Sequence, residues 1–225
     1  MLRFSAKPIL AITRVGWPIA LQELLVSISF MVIQALVNGL GVIASAGVGV
    51  GDRVCGFLML VPSAFSQSMS AFVAQNIGAG KYDRAKKSLR CAVIASLAVA
   101  VFMFWMAFFH GDLLSAIFSR DGEVVAASAE YLKAYAIDCL LTCFLFCFLG
   151  FYNGTGMTGF VMLQGIVGAF CVRMPLSFLF SSMQPVSLFR IGLSTPCSTV
   201  LQIILCLIWM RVANRKFNQK GDAAL

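Results

Sequence analysis

Six long apolar segments, joined by short polar segments, account for most of the chain. Each is at least as long as the roughly 20 residues with which an α-helix crosses the apolar part of a bilayer. Hydrophobic residues make up 60% of the composition and charged residues 12%, whereas soluble domains carry roughly 25% charged residues. This composition leaves too little polar surface for a globule in water. The sequence therefore predicts an all-α integral membrane protein, a bundle of six transmembrane helices in a lipid bilayer.

The limits of the apolar segments predict a single transmembrane domain over residues 1–225. Pro62 lies within the second span and predicts a kink there, because proline interrupts helical hydrogen bonding. Trp17, Trp105 and Trp209 fall near span ends, as expected of amphipathic rings at the membrane–water interface. The six predicted spans cover approximately residues 15–40, 43–75, 88–109, 124–151, 158–180 and 191–212.

Basic residues are concentrated in three segments that an even number of spans places on one side of the membrane. The N-terminal stretch, the loop between spans two and three, and the C-terminal tail together hold 12 of the 17 basic residues. The opposite side has only Arg120 and Arg190. Because positive charge favours the cytoplasmic side, we expect a multi-pass protein of the cell's inner (plasma) membrane with both termini in the cytoplasm. The net charge of +8 marks this topology, and nucleic acid is not an expected partner.

The eight cysteines lie in or at the ends of apolar segments, which favours small packing residues over disulfides or metal ligands. Cys139, Cys143 and Cys147 recur every four residues and share one helix face. The chain has one histidine, His110, and no Ser/His/Asp set or cofactor loop can be recognised. The sequence therefore predicts neither an enzyme nor a protein with a resident cofactor or metal.

Polar side chains recur along one face of the first and of the fourth predicted span. Successive residues of a helix are rotated by about 100° around its axis, so the members of each set lie within about 60° of each other around the helix. Polar groups that face lipid are costly, so each stripe must line a cavity or meet a partner helix. The stripe of the first span consists of Glu23, Ser27, Gln34 and Asn38, and that of the fourth span consists of Tyr131, Tyr135, Asp138 and Thr142.

Glu23 and Asp138 are the carboxylates placed well inside apolar segments, apart from Asp52, which is expected to pair with the neighbouring Arg53 or with water. A buried carboxylate can carry a proton or, when it is ionised, bind Na⁺ or a cationic substrate. It cannot hold the proton and the cation equally well at once, and that competition is the minimal mechanism of an antiporter. We therefore hypothesise that Glu23 and Asp138 alternate between a coupling ion and an organic cation.

The complete predicted site for the coupling ion and the substrate consists of Glu23, Asp138, Gln34, Asn38 and Tyr135. A structural alternative exists for both carboxylates, because a hydrogen bond between helices would also explain a polar group in an apolar span. For Asp138, an ion pair with Lys133 is a further alternative.

Several short motifs in this order resemble those of multidrug-and-toxin-extrusion (MATE) transporters, and the resemblance covers nearly the whole chain. Residues 16–22 resemble the opening of the family's second repeat, and residues 75–81 with Asp83-Arg84-Ala85 resemble its cytoplasmic loop. The remaining motifs are Tyr131-Leu132, Tyr135-Ala136-Ile137, the Gly154-Thr155-Gly156-Met157-Thr158 turn, and Val172-Arg173-Met174-Pro175-Leu176.

The resemblance implies one six-helix repeat of a two-repeat transporter, namely its C-terminal half. Such proteins export organic cations in exchange for Na⁺ or H⁺ by rocking of the two halves. In one subgroup the functional acids lie about one turn further along, near Val26 and Leu141, so that Glu23 and Asp138 are near matches. The implied partners are the bilayer, a small organic cation, and a second six-helix half that is either another chain or a second copy.

Two other interpretations of the sequence stay open. One is a flippase of related architecture for lipids or lipid-linked sugars, which would favour a basic cavity, with Arg173 and Lys133 as candidates. Arg173, which precedes Pro175, also has a purely structural interpretation. The other is a truncated, non-transporting remnant or helical interaction partner, which would tolerate the loss of both acids.

Overall fold

The described chain consists of ten α-helices and one π-helical segment, without strands. The structure is a computed structural model, and it describes the backbone of residues 6–222 and the side chains of Leu10 and residues 12–212. The helices are α1 (Ala6–Asn38), α2 (Val42–Leu58), α3 (Leu60–Gly78), α4 (Tyr82–Phe109), α5 (Gly111–Ala116), α6 (Gly122–Gly154), α7 (Thr158–Ile166), the π-segment (Val167–Arg173), α8 (Met174–Ser182), α9 (Leu188–Gly192) and α10 (Ser194–Asp222).

Within the described residues, six stretches are long and apolar enough to cross a membrane. The six-helix prediction is therefore confirmed. The largest difference in the limits is at the third span, which begins at Tyr82 rather than at residue 88, because the helix continues through basic residues beyond its apolar part. The six spans are Ile12–Asn38, Val42–Gly78, Tyr82–Phe109, Gly122–Gly154, Thr158–Ser182 and Leu188–Val212.

The second span is interrupted between α2 and α3, at Met59. The cause is Pro62, which has no N–H and whose ring clashes with the carbonyl group four residues earlier, at Leu58. The kink was predicted at Pro62, and the interruption lies N-terminal to this proline, at Met59.

The fifth span changes its helical type twice, from α7 to the π-segment and back to α8. Pro175 lies in the first turn of α8, where its missing N–H group is tolerated. The π-segment ends at Arg173, whose side chain is buried. Such π-segments shift the faces of a helix and are frequent at functional sites.

Helix α6 is the central element of the bundle. It packs against α2, α3, α4, α5, α9 and α10, and 72% of its most apolar part is buried, compared with 17% for α1. Small residues allow these close contacts: a Cβ atom added at Gly154 would lie 2.6 Å from the carbonyl oxygen of Ser70 on α3. Side chains near the middle of α6 are therefore held in defined positions by their neighbours on several sides.

Candidate functional site

A cavity of about 270 Å³ lies between α1, α6, the fifth span and α10. Its apolar lining residues include Ile19, Val26 and Phe30 from α1. Its polar lining residues include Glu23, Tyr135, Asp138, Thr142, Arg173 and Thr199.

Asp138 of α6 is the most enclosed acid of the cavity, with 3% of its surface exposed. Its Oδ1 atom accepts a hydrogen bond of 2.6 Å from the hydroxyl group of Thr199 on α10. Its Oδ2 atom accepts a second one, of 3.0 Å, from Thr142, one helical turn further along α6. The two hydroxyl donors stabilise an ionised carboxylate without neutralising it, so the group remains able to bind a cation.

The structure bears on two structural alternatives for Asp138, an ion pair with Lys133 and a hydrogen bond between helices. Lys133 is exposed and does not belong to the cavity wall. The hydrogen bond from Thr199 is the interhelical contact that a purely structural role requires, and it links α6 to α10. A structural contact and a position in a polar cavity are therefore both present.

Glu23 lies on the same cavity but is exposed. The buried face of α1 is next to it: Gln22 is 7% exposed and packs closely against Gly165 of α7. Glu23 therefore projects from the side of α1 that this chain leaves uncovered.

The predicted stripe of α6 divides into two parts. Tyr135 is 6% exposed and lines the cavity together with Asp138 and Thr142. Tyr131 instead donates a hydrogen bond of 3.3 Å to Asp52 of α2. Asp52 was expected to pair with Arg53 or with water, and the partner that the structure gives it among the described residues is a tyrosine of α6.

Gln34 and Asn38, two residues of the predicted site, do not line this cavity. Gln34 Nε2 donates to Asn38 Oδ1 at 3.0 Å, and Ser45 of α2 donates to the same oxygen at 2.6 Å. The stripe runs along α1, and Asn38 lies roughly 22 Å from Glu23 at 1.5 Å per residue. These two residues join the end of α1 to the beginning of α2, so this part of the stripe meets a partner helix.

Arg173 is the basic residue of the cavity wall, and sequence reasoning gave it too little weight. It is 5% exposed, and its Nη1 atom donates to the Ser29 hydroxyl at 3.2 Å. Its guanidinium carbon lies 4.4 Å from the ring centre of Phe30. Its Nε atom has no hydrogen-bond partner among the described residues.

Thr199 was missed, although a signal for it exists in the sequence. Thr195, Thr199 and Gln202 follow each other at helical spacing along the sixth span, and all three lie on the cavity. This third polar stripe could have been recognised by the criterion that we applied to the first and fourth spans.

Among the described residues, no three His, Cys, Asp or Glu side chains are grouped as a metal site would require. The eight cysteines are free, and Cys55, Cys139, Cys143, Cys147 and Cys206 are buried. These five pack as the sequence predicted.

Six membrane-spanning helices, five of which line a cavity with two carboxylates at its wall, are the architecture of a multi-pass membrane protein of the transporter class. The MatE family model matches residues 18–179, and the chain belongs to this family. MatE proteins are transporters rather than enzymes, which agrees with the sequence prediction.

Several relatives with curated names match the chain. A probable multidrug resistance protein, YoeA, from Bacillus subtilis is 21% identical over 91% of this chain and 44% of its own length. Multidrug and toxin extrusion protein 1 of Mus musculus is 28% identical over 74% of this chain and 32% of its own. An FAD transporter of Shewanella oneidensis is 30% identical over 56% of this chain and 27% of its own.

Solved structures show the same fold. A multidrug resistance MATE transporter in its outward-facing conformation superimposes with a TM-score of 0.83 at 21% identity, covering 91% of this chain and 45% of that one. A MOP superfamily transporter from Pyrococcus furiosus, described by the reverse polarity of its binding pocket, gives a TM-score of 0.82 at 21% identity. The match covers 89% of this chain and 44% of that one. The chain spans about half the length of these proteins, or less.

Proposed function

We propose that this chain is one six-helix half of a secondary antiporter that exports organic cations in exchange for Na⁺ or H⁺. Asp138 carries the proposal, because it is a carboxylate that is buried in a membrane-spanning helix, lies on a cavity and is hydrogen-bonded only by hydroxyl groups among the described residues. An ionisable group inside a membrane span is costly, and such groups commonly mark ion or substrate pathways.

The mechanism follows from competition at this carboxylate. Ionised Asp138, stabilised by Thr142 and Thr199, attracts a monovalent coupling ion or the positive centre of an organic cation. The apolar lining residues of the cavity would contact the hydrophobic part of the cargo, and Tyr135 offers an aromatic ring with a polar end. When the cavity faces outward, a proton or Na⁺ that binds from that side would displace the cargo to the same side, and the ion would be released on the opposite side after the two halves rock.

Transport needs a second wall. The cavity is bordered on one side by α1, and only 17% of the most apolar part of this helix is buried within the chain. A second six-helix half, either another chain or a second copy, would enclose the cargo and rock against this half.

The charge distribution favours the inner (plasma) membrane with the termini in the cytoplasm.

The test is efflux of a fluorescent organic cation from proteoliposomes, driven by an imposed Na⁺ or proton gradient. Asp138→Asn should abolish coupled efflux, while Asp52→Asn should retain it. Asp52 is a matched control because it is also an acid within a span, yet it binds Tyr131 outside the cavity. Unchanged coupled efflux in Asp138→Asn would refute the proposal, and no efflux from any combination of halves would favour a non-transporting remnant.

A second candidate is a carrier for cargo that bears an anionic group, and Arg173 supports it. Its buried guanidinium group lines the cavity, and its Nε atom has no acceptor in the part of the chain that the structure describes. A lipid-linked sugar flippase would favour several basic residues, but Lys133 lies outside the cavity wall. The names of two similar proteins, an FAD transporter and a transporter of reverse pocket polarity, also favour a carrier for cargo with an anionic group.

The two candidates can be distinguished with matched cargos. Arg173→Gln should lower the transport of a zwitterionic, carboxylate-bearing compound while leaving that of its methyl ester unchanged. If the free acid and the ester respond equally, Arg173 has only a packing role and the cation carrier remains the proposed function.

A further inference from the structure

A second concave surface lies on the side of α6 between α4 and α10. This surface, the α4–α10 groove, has a volume of about 430 Å³. It shares no lining residue with the cavity at Asp138. Its two sides are different in character, since α4 contributes basic residues at one end and α6 contributes aromatic rings along its floor.

The floor of the groove is apolar. Phe144, Phe148 and Phe151 follow each other at helical spacing on α6 and lie on one face. The rings of Phe144 and Phe148 are 4.8 Å apart. Val93 and Ile94 of α4 extend the apolar surface, and Ile94 is 72% exposed, so it is accessible from the membrane.

The basic end of the groove lies near the beginning of α4. Lys86 and Arg90 are one helical turn apart, and both line the groove. Arg90 is exposed and is separated from Ile94 by one further turn. The charged residues therefore lie at the end of the span, and the apolar surface of the groove lies further into the span.

We propose that the α4–α10 groove binds an anionic phospholipid. Its phosphate group lies between Arg90 and Lys86, and one acyl chain lies on the phenylalanines of α6. The order of the contacts along the span is that of a lipid molecule, with the headgroup at the surface and the chain toward the interior. Charge complementarity selects an anionic headgroup, because a guanidinium group can bind phosphate oxygens through two parallel hydrogen bonds.

The experiment uses the full chain, purified in mild detergent and titrated with phosphatidylglycerol or phosphatidylcholine of equal chain length in native mass spectrometry. Wild-type protein should bind one phosphatidylglycerol in preference to phosphatidylcholine. Arg90→Gln should lower the affinity for phosphatidylglycerol about fivefold, the factor for one basic residue near an anionic membrane surface. Lys87→Gln is the matched control, since it removes one exposed charge from the same turn outside the groove.

A position-specific measurement accompanies the titration. Ile94 is replaced by the photo-crosslinker p-benzoylphenylalanine, which should capture a phospholipid acyl chain, and the captured lipid should decrease when Arg90→Gln is added. Equal loss of affinity in Arg90→Gln and Lys87→Gln would overturn the proposal, because a diffuse surface attraction would then suffice. Equal binding of both lipids, or a crosslink to protein instead of lipid, would also overturn it.

Discussion

The hydroxyl group of Thr199 joins two helices at the acid of the cavity. It donates to Asp138 at 2.6 Å and also lies 3.1 Å from the carbonyl oxygen of Thr195, a second acceptor within its own helix. A hydroxyl group with two acceptors can release the carboxylate without remaining unpaired in the membrane. Loss of the Thr199 hydroxyl group should therefore weaken cation binding at Asp138 more than it lowers the stability of the fold.

Thr199→Val tests this dependence, because valine keeps the shape of threonine and removes the donor. We expect about tenfold weaker binding of an organic cation, in line with the roughly 1.5–3 kcal/mol of a hydrogen bond to a charged group. Unfolding should be nearly unaffected, since hydrogen bonds between membrane helices average about 0.6 kcal/mol. Isothermal titration and thermal unfolding in detergent would measure the two quantities.

Thr195→Val is the control for that variant. Thr195 lies on the same cavity one turn away, and its hydroxyl oxygen has no hydrogen-bond partner in the described chain. If both variants weaken binding equally, the effect comes from the polarity of the cavity and not from the bond to Asp138.

Sequence periodicity predicted part of the candidate site at this scale, and the reason is physical. Tyr135, Asp138 and Thr142 lie on one uninterrupted helix, so a period of 100° per residue places them correctly on one face. Arg173 lies at the end of a π-segment, where that period no longer holds. Its position on the cavity also depends on how the fifth span packs against α1, which spacing within one helix does not encode.

At the scale of elements, α3 and α6 approach each other closely at Gly150. A Cβ atom added at Gly150 of α6 would lie 2.9 Å from Cβ of Met69 and closer still to the carbonyl oxygen of Ser66. The backbone carbonyl cannot move away as a flexible side chain would. The two helices must therefore separate if Gly150 acquires a side chain.

Gly150→Ala should consequently lower stability by about 1–3 kcal/mol, the usual cost of overpacking. Thermal unfolding of the purified chain would show this as a lower midpoint. Gly159→Ala in α7 is the matched control, because nothing lies within 4 Å of its added Cβ and alanine favours helix. A Gly150→Ala variant as stable as Gly159→Ala would mean that α3 does not pack on α6 as closely as described.

The number and order of the membrane spans could be predicted from the sequence because hydrophobic length determines them, but the interruptions of the spans were only partly predicted. Pro62 indicated a break in the second span, and the break occurs at Met59. No comparable signal predicted the π-segment, which packs against α1 and α10. The stripe of α1 was read as one site because periodicity gives the face of a residue but not its depth, and Gln34 and Asn38 consequently lie outside the cavity.

At the scale of the whole molecule, the uncovered face of α1 is the feature that supports the proposed second half. Glu23 and Ser27 are exposed on this face, and Met31, one turn further, is 70% exposed. A carboxylate and a hydroxyl group facing lipid would be costly. The face is therefore expected to border water or the proposed second half, and that half would also supply the missing wall of the adjoining cavity.

Photo-crosslinking within native membranes tests this requirement. The crosslinker p-benzoylphenylalanine replaces Met31 on the uncovered face, and a control replaces Ile117, which is 74% exposed after α5. We expect position 31 to form a protein adduct and position 117 to form none. An adduct of twice the chain's mass would identify a second copy, whereas a different mass would identify a separate six-helix chain. Lipid adducts alone at position 31 would contradict the partner, because this face would then lie in the bilayer despite Glu23 and Ser27.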